Sequence, residues 1–248
     1  MKKYIFIMLI FFLHNSCDSK DAGDCFQTAG EIVKNEVGVP FFDKVVVHKN
    51  IELFIEEGPL QKVEVETGEN LFPDIIANVI DGELILTNEN KCNFVREYSL
   101  TKVYVTTPNL TVIRNASELN VNSIGVLAYP SLYLMSVGQK RDFLSVGDFH
   151  LTIENENVRI WGNGIATFFL KGTSDKLSVD FSNGDTRLEA KDFKVKDITL
   201  RNVSSNDMIL YPEESVVGTI HSTGDVILYN TPPIVDVQEL SVGELIIK

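Results

Sequence analysis

A polar turn returns at nearly constant spacing through the second half of this chain of 248 residues. Its copies are Ser145-Val146-Gly147-Asp148, Ser182-Asn183-Gly184-Asp185, Ser205-Asn206-Asp207, Ser222-Thr223-Gly224-Asp225 and Ser241-Val242-Gly243-Glu244. From one acidic residue to the next the steps are 37, 22, 18 and 19 residues, and a copy at Gly162-Asn163-Gly164 divides the first step. A repeat of this length, with one small polar corner per copy, is typical of a chain that winds in stacked layers.

The segments between the turns alternate apolar and polar residues with a period of two, as in Leu177, Val179 and Phe181. This period indicates β-strands with one buried face. The dipeptide Asp81-Gly82 separates two apolar runs and predicts a two-residue hairpin turn. Helical periodicity is confined to one short candidate, Gly30 to Asn35. We therefore predict an all-β protein.

The choice of β architecture lies between a sandwich and a solenoid. A sandwich shows turns every 8 to 12 residues without internal repetition, whereas the unit here is about twice that length. About 20 residues at roughly 3.3 Å each are enough for three short strands and their corners. Because parallel crossovers are nearly always right-handed, we predict a right-handed parallel β-helix with rungs of about 18 to 22 residues. The segment from Val126 to Phe143 fits the repeat poorly and is expected to be a loop or an inserted strand pair.

The N-terminal residues have the layout of an export signal. Lys2 and Lys3 precede an apolar run from Tyr4 to Leu13, which is too short to cross a bilayer as a helix. Residues 1–16 are therefore predicted to be a signal peptide. Ser16-Cys17 resembles the lipobox of bacterial lipoproteins, so Cys17 is the predicted lipidation site; ordinary secretion with an unmodified cysteine is the alternative.

Three segments follow from this interpretation. Residues 17–40 form a lipidated tether and lead-in, and residues 41–248 form a single β-helical domain. The expected location is the outer membrane, facing either the cell surface or the periplasm. The formal net charge of −13 becomes −15 without the leader, which carries two lysines and no acid. Such a charge argues against nucleic acid as a partner and leaves membrane attachment to the lipid.

The two cysteines that remain after lipidation of Cys17 form an even pair in an oxidising compartment. A disulfide between Cys25 and Cys92 would fasten the N-terminal lead-in to the domain. Two buried free thiols are the alternative.

Several motifs together resemble one known family, the head GIN domain, which is associated with auto-transporter adhesins and with exported proteins of Bacteroidetes. Besides the recurring corners, the matching motifs are Phe42-Asp43-Lys44-Val45, Glu66-Thr67-Gly68-Glu69-Asn70-Leu71, Asp81-Gly82-Glu83-Leu84 and Val103-Tyr104-Val105-Thr106-Thr107-Pro108-Asn109-Leu110. The resemblance covers residues 41–245. It implies a β-helical domain outside the cytoplasm, without an established activity.

The recurring acids allow two interpretations. The acids concerned are Asp148, Asp185, Asp207, Asp225 and Glu244. Stacked in layers, they could form a carboxylate ladder. Two such charges about 4.8 Å apart in water repel by about 0.9 kcal/mol, and a bound cation would offset this repulsion. Calcium-binding β-rolls, however, use a nine-residue glycine-rich repeat that is absent from this sequence. We therefore predict that these acids are structural corner residues and that the chain holds no metal.

Catalysis has one candidate cluster, which consists of Asp175, Asp180, Asp185, Arg187, Glu189 and Lys191. Such a cluster could serve a polysaccharide lyase or hydrolase, but alternating charge on the outer face of a strand explains it equally well. The four histidines are scattered and form no metal-binding spacing. No catalytic residue, metal ligand or cofactor site is therefore predicted.

Aromatic residues supply the candidate ligand surface. Tyr129, Tyr133 and Trp161 could form a platform for sugar rings, or could instead cap the core. The N-glycosylation pattern is matched by Asn109-Leu110-Thr111, Asn115-Ala116-Ser117 and Asn202-Val203-Ser204, which we interpret as chance in a bacterial protein.

The sequence as a whole predicts a membrane-anchored lipoprotein whose β-helical head binds a glycan or a protein at the cell envelope. An enzyme that acts on polysaccharides and a purely structural envelope protein are the alternatives.

Overall fold

The computed structural model describes Cys25, residues 27–90, Cys92, Glu97, residues 100–138 and residues 144–248. The predicted signal peptide and the predicted lipidation site Cys17 lie outside the described residues. Within them, the only helical element is a 3₁₀ turn at Phe72–Asp74. None of the described residues forms a helix with the length and hydropathy that a bilayer-spanning segment needs.

Seventeen strands make up more than half of the described chain. They are β1 Ile32–Glu36, β2 Lys44–His48, β3 Glu52–Glu57, β4 Lys62–Gly68, β5 Ile75–Ile80, β6 Glu83–Asn88, β7 Lys102–Thr107, β8 Val112–Ala116, β9 Val121–Leu127, β10 Ser131–Ser136, β11 Phe149–Gly162, β12 Thr167–Phe181, β13 Arg187–Asn202, β14 Met208–Ile220, β15 Val226–Leu228, β16 Ile234–Glu239 and β17 Leu245–Ile247. All of them belong to one mostly parallel sheet that curls around a single core. The all-β prediction is therefore confirmed.

The sheet has two rows of strands, because each of the long strands β11 to β14 pairs on both sides of a bend. Phe149 of β11 pairs with Phe168 of β12 before the bend, and Val158 pairs with Leu177 after it. The first row contains β3, β7, β9, the first parts of β11 to β14, β15 and β17. The second row contains β2, β6, β8, β10, the second parts of β11 to β14, and β16.

The repeat near 20 residues is the register of this parallel sheet. Phe149 pairs with Phe168, 19 positions later, and Leu177 pairs with Ile198, 21 positions later. Because this register pairs inward-facing residues with inward-facing residues of the next layer, apolar side chains lie above apolar side chains. The rings of Phe149 and Phe168, for example, stack with centroids 4.5 Å apart and are fully buried. Burial of a side chain of this size contributes about 1.5 to 3 kcal/mol.

The recurring polar turns connect the end of each second-row strand to the next first-row strand. At the corner before β13, Gly184 has a φ of 84°, and a Cβ atom there would lie 2.4 Å from the Gly164 carbonyl oxygen. Only glycine avoids both the strained φ and this contact. The Asp185 amide donates to the same carbonyl of the preceding corner, at 2.8 Å. The predicted extra copy at residues 162–164 occupies the corner between β11 and β12.

The N-terminal end of the sheet departs from the parallel pattern. β4 runs antiparallel to both β1 and β7, and β5 runs antiparallel to β6. The predicted hairpin turn joins β5 to β6, with φ values of 51° at Asp81 and 75° at Gly82. The prediction of parallel layers from residue 41 onwards is wrong here. The helical candidate at residues 30–35 is also wrong, because its residues pair with β4 in the strand β1.

The described part of the segment from Val126 to Phe143, residues 126–138, is more regular than the sequence indicated. Its strand β10 lies in parallel between β8 and β11 as an ordinary member of the second row. The irregularity is confined to a bulge in β9, where Gly125 has a φ of 73°, and to the connection after β10. Residues 139–143 of that connection lie outside the described residues. Residues 126–138 therefore contain no inserted strand pair.

The disulfide expected between Cys25 and Cys92 is present, with the two Cα atoms 4.4 Å apart. The lead-in next to it is held by side-chain contacts as well. Gln27 Nε2 donates to the Asn70 carbonyl at 3.0 Å, and Asn70 Nδ2 donates to the Thr28 carbonyl at 3.2 Å. The lead-in is thus fastened to the antiparallel end of the sheet.

Candidate functional site

The acidic corner residues lie in the turns of successive layers, one or two positions before a first-row strand begins. Three of the five carboxylates accept hydrogen bonds from backbone amides of the next layer. Asp148 Oδ1 accepts from the Thr167 amide at 2.7 Å. Asp207 Oδ1 accepts from the Asp225 amide at 3.1 Å, and Asp225 Oδ1 accepts from the Glu244 amide at 2.9 Å.

A fourth corner acid, Asp185, accepts from Ser205 Oγ at 2.8 Å. Among the described residues, no three His, Cys, Asp or Glu side chains are grouped so that they could hold a metal ion. Four of the five predicted corner acids therefore join neighbouring layers through their carboxylates, whereas Glu244 contributes its backbone amide.

Two buried asparagines, whose role was not predicted from the sequence, hold the corners from the inside. Asn202 is fully buried; its Oδ1 accepts from the Ser204 amide at 3.0 Å, and its Nδ2 donates to the Gly224 carbonyl at 3.1 Å. Asn115 makes the equivalent contacts with the Ser117 amide and the Gly147 carbonyl. Two of the three matches to the glycosylation pattern are thus buried corner motifs. The available signal was their position, since each follows an alternating strand and precedes a polar turn.

The candidate catalytic acids do not form one site, because they occupy different sides of their layers. Asp175 pairs with Lys196 at 2.6 Å, and Asp180 pairs with Arg201 at 3.0 Å on the outer side of the second row. Each of these carboxylates has its own cationic partner. Alternating charge on outer faces therefore accounts for this part of the cluster.

Arg187 does lie between two carboxylates, on the outer side of the first row. Its guanidinium contacts Glu189 at 2.5 Å and Asp207 at 3.2 Å. Burial lowers the pKa of Arg187, but the hydrogen bonds and charges of both acids outweigh it and raise this pKa overall. The arginine thus stays protonated and holds both carboxylates as ion pairs. This arrangement suits a structural bridge between β13 and the next corner better than a proton-transfer site.

Tyr129 cannot belong to a sugar-binding platform, because its side chain is 1% exposed. Its hydroxyl donates to the Thr107 carbonyl at 3.0 Å, and the Glu56 carbonyl lies 3.4 Å away. Burial is the main cause of a strongly raised pKa for Tyr129. The platform of three aromatic residues is therefore wrong in this member.

Tyr133 and Trp161, in contrast, lie together on the outer side of the second row. Tyr133 of β10 pairs with Arg159 of β11, and Met135 pairs with both Trp161 and Arg114 of β8. The alternating neighbours of these residues, such as Leu134 and Ile160, are fully buried. We call Arg114, Tyr133, Met135, Arg159 and Trp161 the arginine–aromatic patch.

Side-chain contacts within this patch order its polar groups. The guanidinium carbon of Arg159 lies 4.7 Å from the centroid of the Tyr133 ring, a cation–π distance. Arg114 Nη2 lies 3.5 Å from Met135 Sδ. Trp161 Nε1 donates to Ser182 Oγ at 3.1 Å. The patch combines two fixed positive charges with a half-buried indole and a half-buried phenol.

A second set of outward rings lies on the first row. Phe54 stacks on Tyr104 with centroids 5.0 Å apart, and Lys34 Nζ lies 3.7 Å from the Tyr104 ring centroid. Burial and Glu66 raise the pKa of Tyr104. A hydrogen bond with Lys62, at 2.8 Å, lowers the pKa of nearby Glu64. These rings cover each other and are surrounded by ion pairs, so they favour a structural role.

Residues 41–232 match the model of a family described as "Putative auto-transporter adhesin, head GIN domain". The resemblance inferred from the sequence is thereby confirmed over this range. No curated protein is significantly similar to the chain in sequence.

Several solved structures share the fold. A protein of Bacteroides fragilis NCTC 9343, described as a "putative adhesin", has 17% identity and a TM-score of 0.79, over 89% of this chain and 99% of that chain. A "putative lipid binding protein" of Parabacteroides distasonis ATCC 8503 has 14% identity and a TM-score of 0.65, over 88% and 97%. A "putative adhesin" of Parabacteroides merdae ATCC 43184 has 15% identity and a TM-score of 0.62, again over 88% and 97%. At these identities the likeness concerns the fold.

Proposed function

Because the chain belongs to the head GIN domain family of "putative auto-transporter adhesin" proteins, we propose that it is a non-enzymatic binding module of the cell envelope. The observation that carries this proposal is the arginine–aromatic patch on the outer side of the second row. It brings binding groups from three strands together on a rigid sheet. The neighbours described as adhesins agree with such a role.

The scaffold of this module is proposed to be a right-handed β-solenoid. Two observations support it: the parallel pairings at steps of 19 to 21 residues, and the strong preference of parallel crossovers for the right hand. In a solenoid each layer is supported by its neighbours. Outward side chains on adjacent layers would then keep fixed distances, which a binding surface requires.

The module is proposed to be exported by residues 1–16 and lipidated at Cys17 as an outer membrane lipoprotein. Its cellular context would be that of Bacteroidetes, the group to which the sequence resemblance points. The disulfide at Cys25 lies eight residues after this anchor. Eight extended residues span at most about 29 Å. The head would therefore stay close to the membrane, on the cell surface or in the periplasm.

A glycan is the ligand that the patch fits best. Aromatic and guanidinium groups of the Tyr133 and Trp161 region offer both apolar contact and hydrogen-bond donors, which is the combination that sugars need. Among the candidate catalytic residues described, Asp175 and Asp180 are ion-paired, and so are Glu189 and Arg187. A non-enzymatic role therefore has more support than hydrolysis or elimination.

A glycan array tests this proposal. The probe is the mature chain with Cys17→Ser, which stays free of lipid, compared with the same chain carrying Trp161→Ala. Loss of the indole is expected to weaken glycan binding by about tenfold or more. Tyr229→Ala, which removes an aromatic ring that is 39% exposed on the other row, serves as the matched control. Unchanged binding by the Trp161→Ala variant, or shortening of a bound glycan, would contradict the proposal.

A further inference from the structure

Arg159 differs from the outward arginines Arg187 and Arg201 in its charge environment. Arg187 pairs with Glu189 and Asp207, and Arg201 pairs with Asp180. In the part of the chain that the structure describes, no carboxylate lies within 4.0 Å of the exposed Arg159 guanidinium. This exception is informative because the chain carries 35 acidic residues against 22 lysines and arginines. Acids that could neutralise Arg159 are plentiful, yet none of the described ones is placed beside it.

The contact with Tyr133 limits where the Arg159 guanidinium can lie. With the guanidinium carbon 4.7 Å from the ring centroid, one side of the planar cation is covered by the phenol. The edge of a guanidinium carries the N–H donors that bind carboxylate or sulfate oxygens in pairs. Part of the entropy cost of ordering a long side chain is therefore met before any ligand binds.

Trp161 extends the same surface beyond the charge. It follows Arg159 by two positions on β11, so both side chains lie on the outer side. Strand spacings of about 4.8 Å and residue spacings of about 3.3 Å place the Cα atoms of Tyr133 and Trp161 roughly 8 Å apart. Arg114, across Met135 from Trp161, adds a second positive charge. A ligand on this surface meets cations on both sides of an apolar centre.

From these observations we infer that the ligand is an anionic glycan, in which carboxylate or sulfate groups on the sugars bind Arg159 and the sugar rings contact Trp161. The inference rests on the proposed function, because it names the ligand class of that same patch. A neutral glycan would leave the ordered Arg159 cation without a counter-ion. The acidic remainder of the protein would repel anions elsewhere and so direct them to this patch.

The test compares charged and neutral polysaccharides on the mature chain with Cys17→Ser. The probes are polygalacturonate, dextran sulfate and neutral dextran, with phosphatidylglycerol vesicles as a lipid counterpart, and the affinity of each is measured by biolayer interferometry. Arg159→Gln removes the charge but keeps hydrogen-bonding capacity. Arg201→Gln is the matched control, since it makes the same substitution on the outer side of the same row. Both side chains are exposed, and circular dichroism and melting temperature verify that the variants fold.

We expect binding to one or both charged polysaccharides and not to dextran, a loss of roughly ten- to hundredfold in Arg159→Gln, and a change of less than about twofold in Arg201→Gln. Equal losses in the two variants would overturn the inference, because they would indicate binding to overall charge. Vesicle binding without polysaccharide binding would also overturn it.

The proposed function can survive the failure of this inference. If a neutral glycan binds, Trp161→Ala abolishes binding and Arg159→Gln does not, the patch is a glycan site but the anionic class is wrong. If no glycan binds to the wild-type surface, both the inference and the glycan ligand fail together.

Discussion

The buried Asn202 makes the sharpest test of how the layers are held together. Its Oδ1 accepts from the Ser204 amide at 3.0 Å, and its Nδ2 donates to the Gly224 carbonyl of the next corner at 3.1 Å. Asn202→Ala deletes both hydrogen bonds and leaves a backbone donor and a backbone acceptor in the core. The Nδ2 contact with the Asn206 carbonyl, at 3.5 Å, is too long to be counted.

The expected cost follows from these two contacts. A buried backbone group left without a partner costs about 1 to 3 kcal/mol, so two such groups predict a loss of about 2 to 6 kcal/mol in the free energy of unfolding. Asn183→Ala is the control, since Asn183 is exposed in the preceding corner. Its effect is expected to stay within about 0.5 kcal/mol.

Urea unfolding, followed by circular dichroism and by the fluorescence of the single tryptophan, Trp161, measures both variants. The slope of the unfolding free energy against urea concentration should be the same in the wild type and in both variants, so that the midpoint of unfolding reports stability. If Asn202→Ala loses less than about 0.5 kcal/mol, or no more than Asn183→Ala, the buried asparagines do not hold the corners and the reasoning is refuted.

Three further predictions concern the core, the disulfide and the anchor. Burial raises the pKa of Tyr129 above its ordinary value of 10, so the unfolded chain ionises first and the free energy of unfolding should fall as the pH rises above about 10. Tyr129→Phe should abolish this pH dependence. It should also lower the free energy of unfolding by about 1 kcal/mol at pH 7, because the hydrogen bond to the Thr107 carbonyl is lost. Urea titrations at pH 7 and 10.5 measure both effects, and the same loss of stability between these pH values in wild type and variant would contradict the assignment. Replacement of Cys25 and Cys92 by serine opens a loop of 67 residues and should cost about 4 kcal/mol in the chain-entropy model, measured by urea unfolding; a loss below about 1 kcal/mol would argue against it. Cys17→Ser should abolish labelling with radioactive palmitate and move the protein from the detergent phase to the aqueous phase, whereas labelling that persists would place the lipid elsewhere.

Local patterns in the sequence predicted the parallel part of the fold well, because one repeat defines both the register and the corners. Leu177 and Ile198 face the core because the alternation of apolar and polar residues repeats in each layer. Gly184 lies in a turn because the turns recur at the same spacing as the strands. The antiparallel strands β4 and β5 interrupt this repetition. Only the hairpin turn of β5 left a local signal at Asp81-Gly82, whereas the pairing of β4 with β7 depends on residues distant in sequence.

The candidate site was harder to predict, since its residues come from three strands. Tyr133 and Arg159 are 26 positions apart, and only the register of β10 with β11 brings them together. Tyr129 faces the core because it follows the bulge in β9, where parity is lost. Arg159 and Trp161, by contrast, share a strand with an even separation, so a strict period-two pattern could have placed both on one face.

The central claim is that ligand binds at the arginine–aromatic patch without being cleaved, and Trp161 reports on this directly as the single tryptophan of the chain. Its fluorescence is measured while polygalacturonate is added to the mature chain, and the length of the polysaccharide is then determined by size-exclusion chromatography. The account predicts a saturable change in emission, absent in Arg159→Gln, with the polysaccharide unshortened. Binding that leaves Trp161 emission unchanged, or a polysaccharide that becomes shorter, would contradict it.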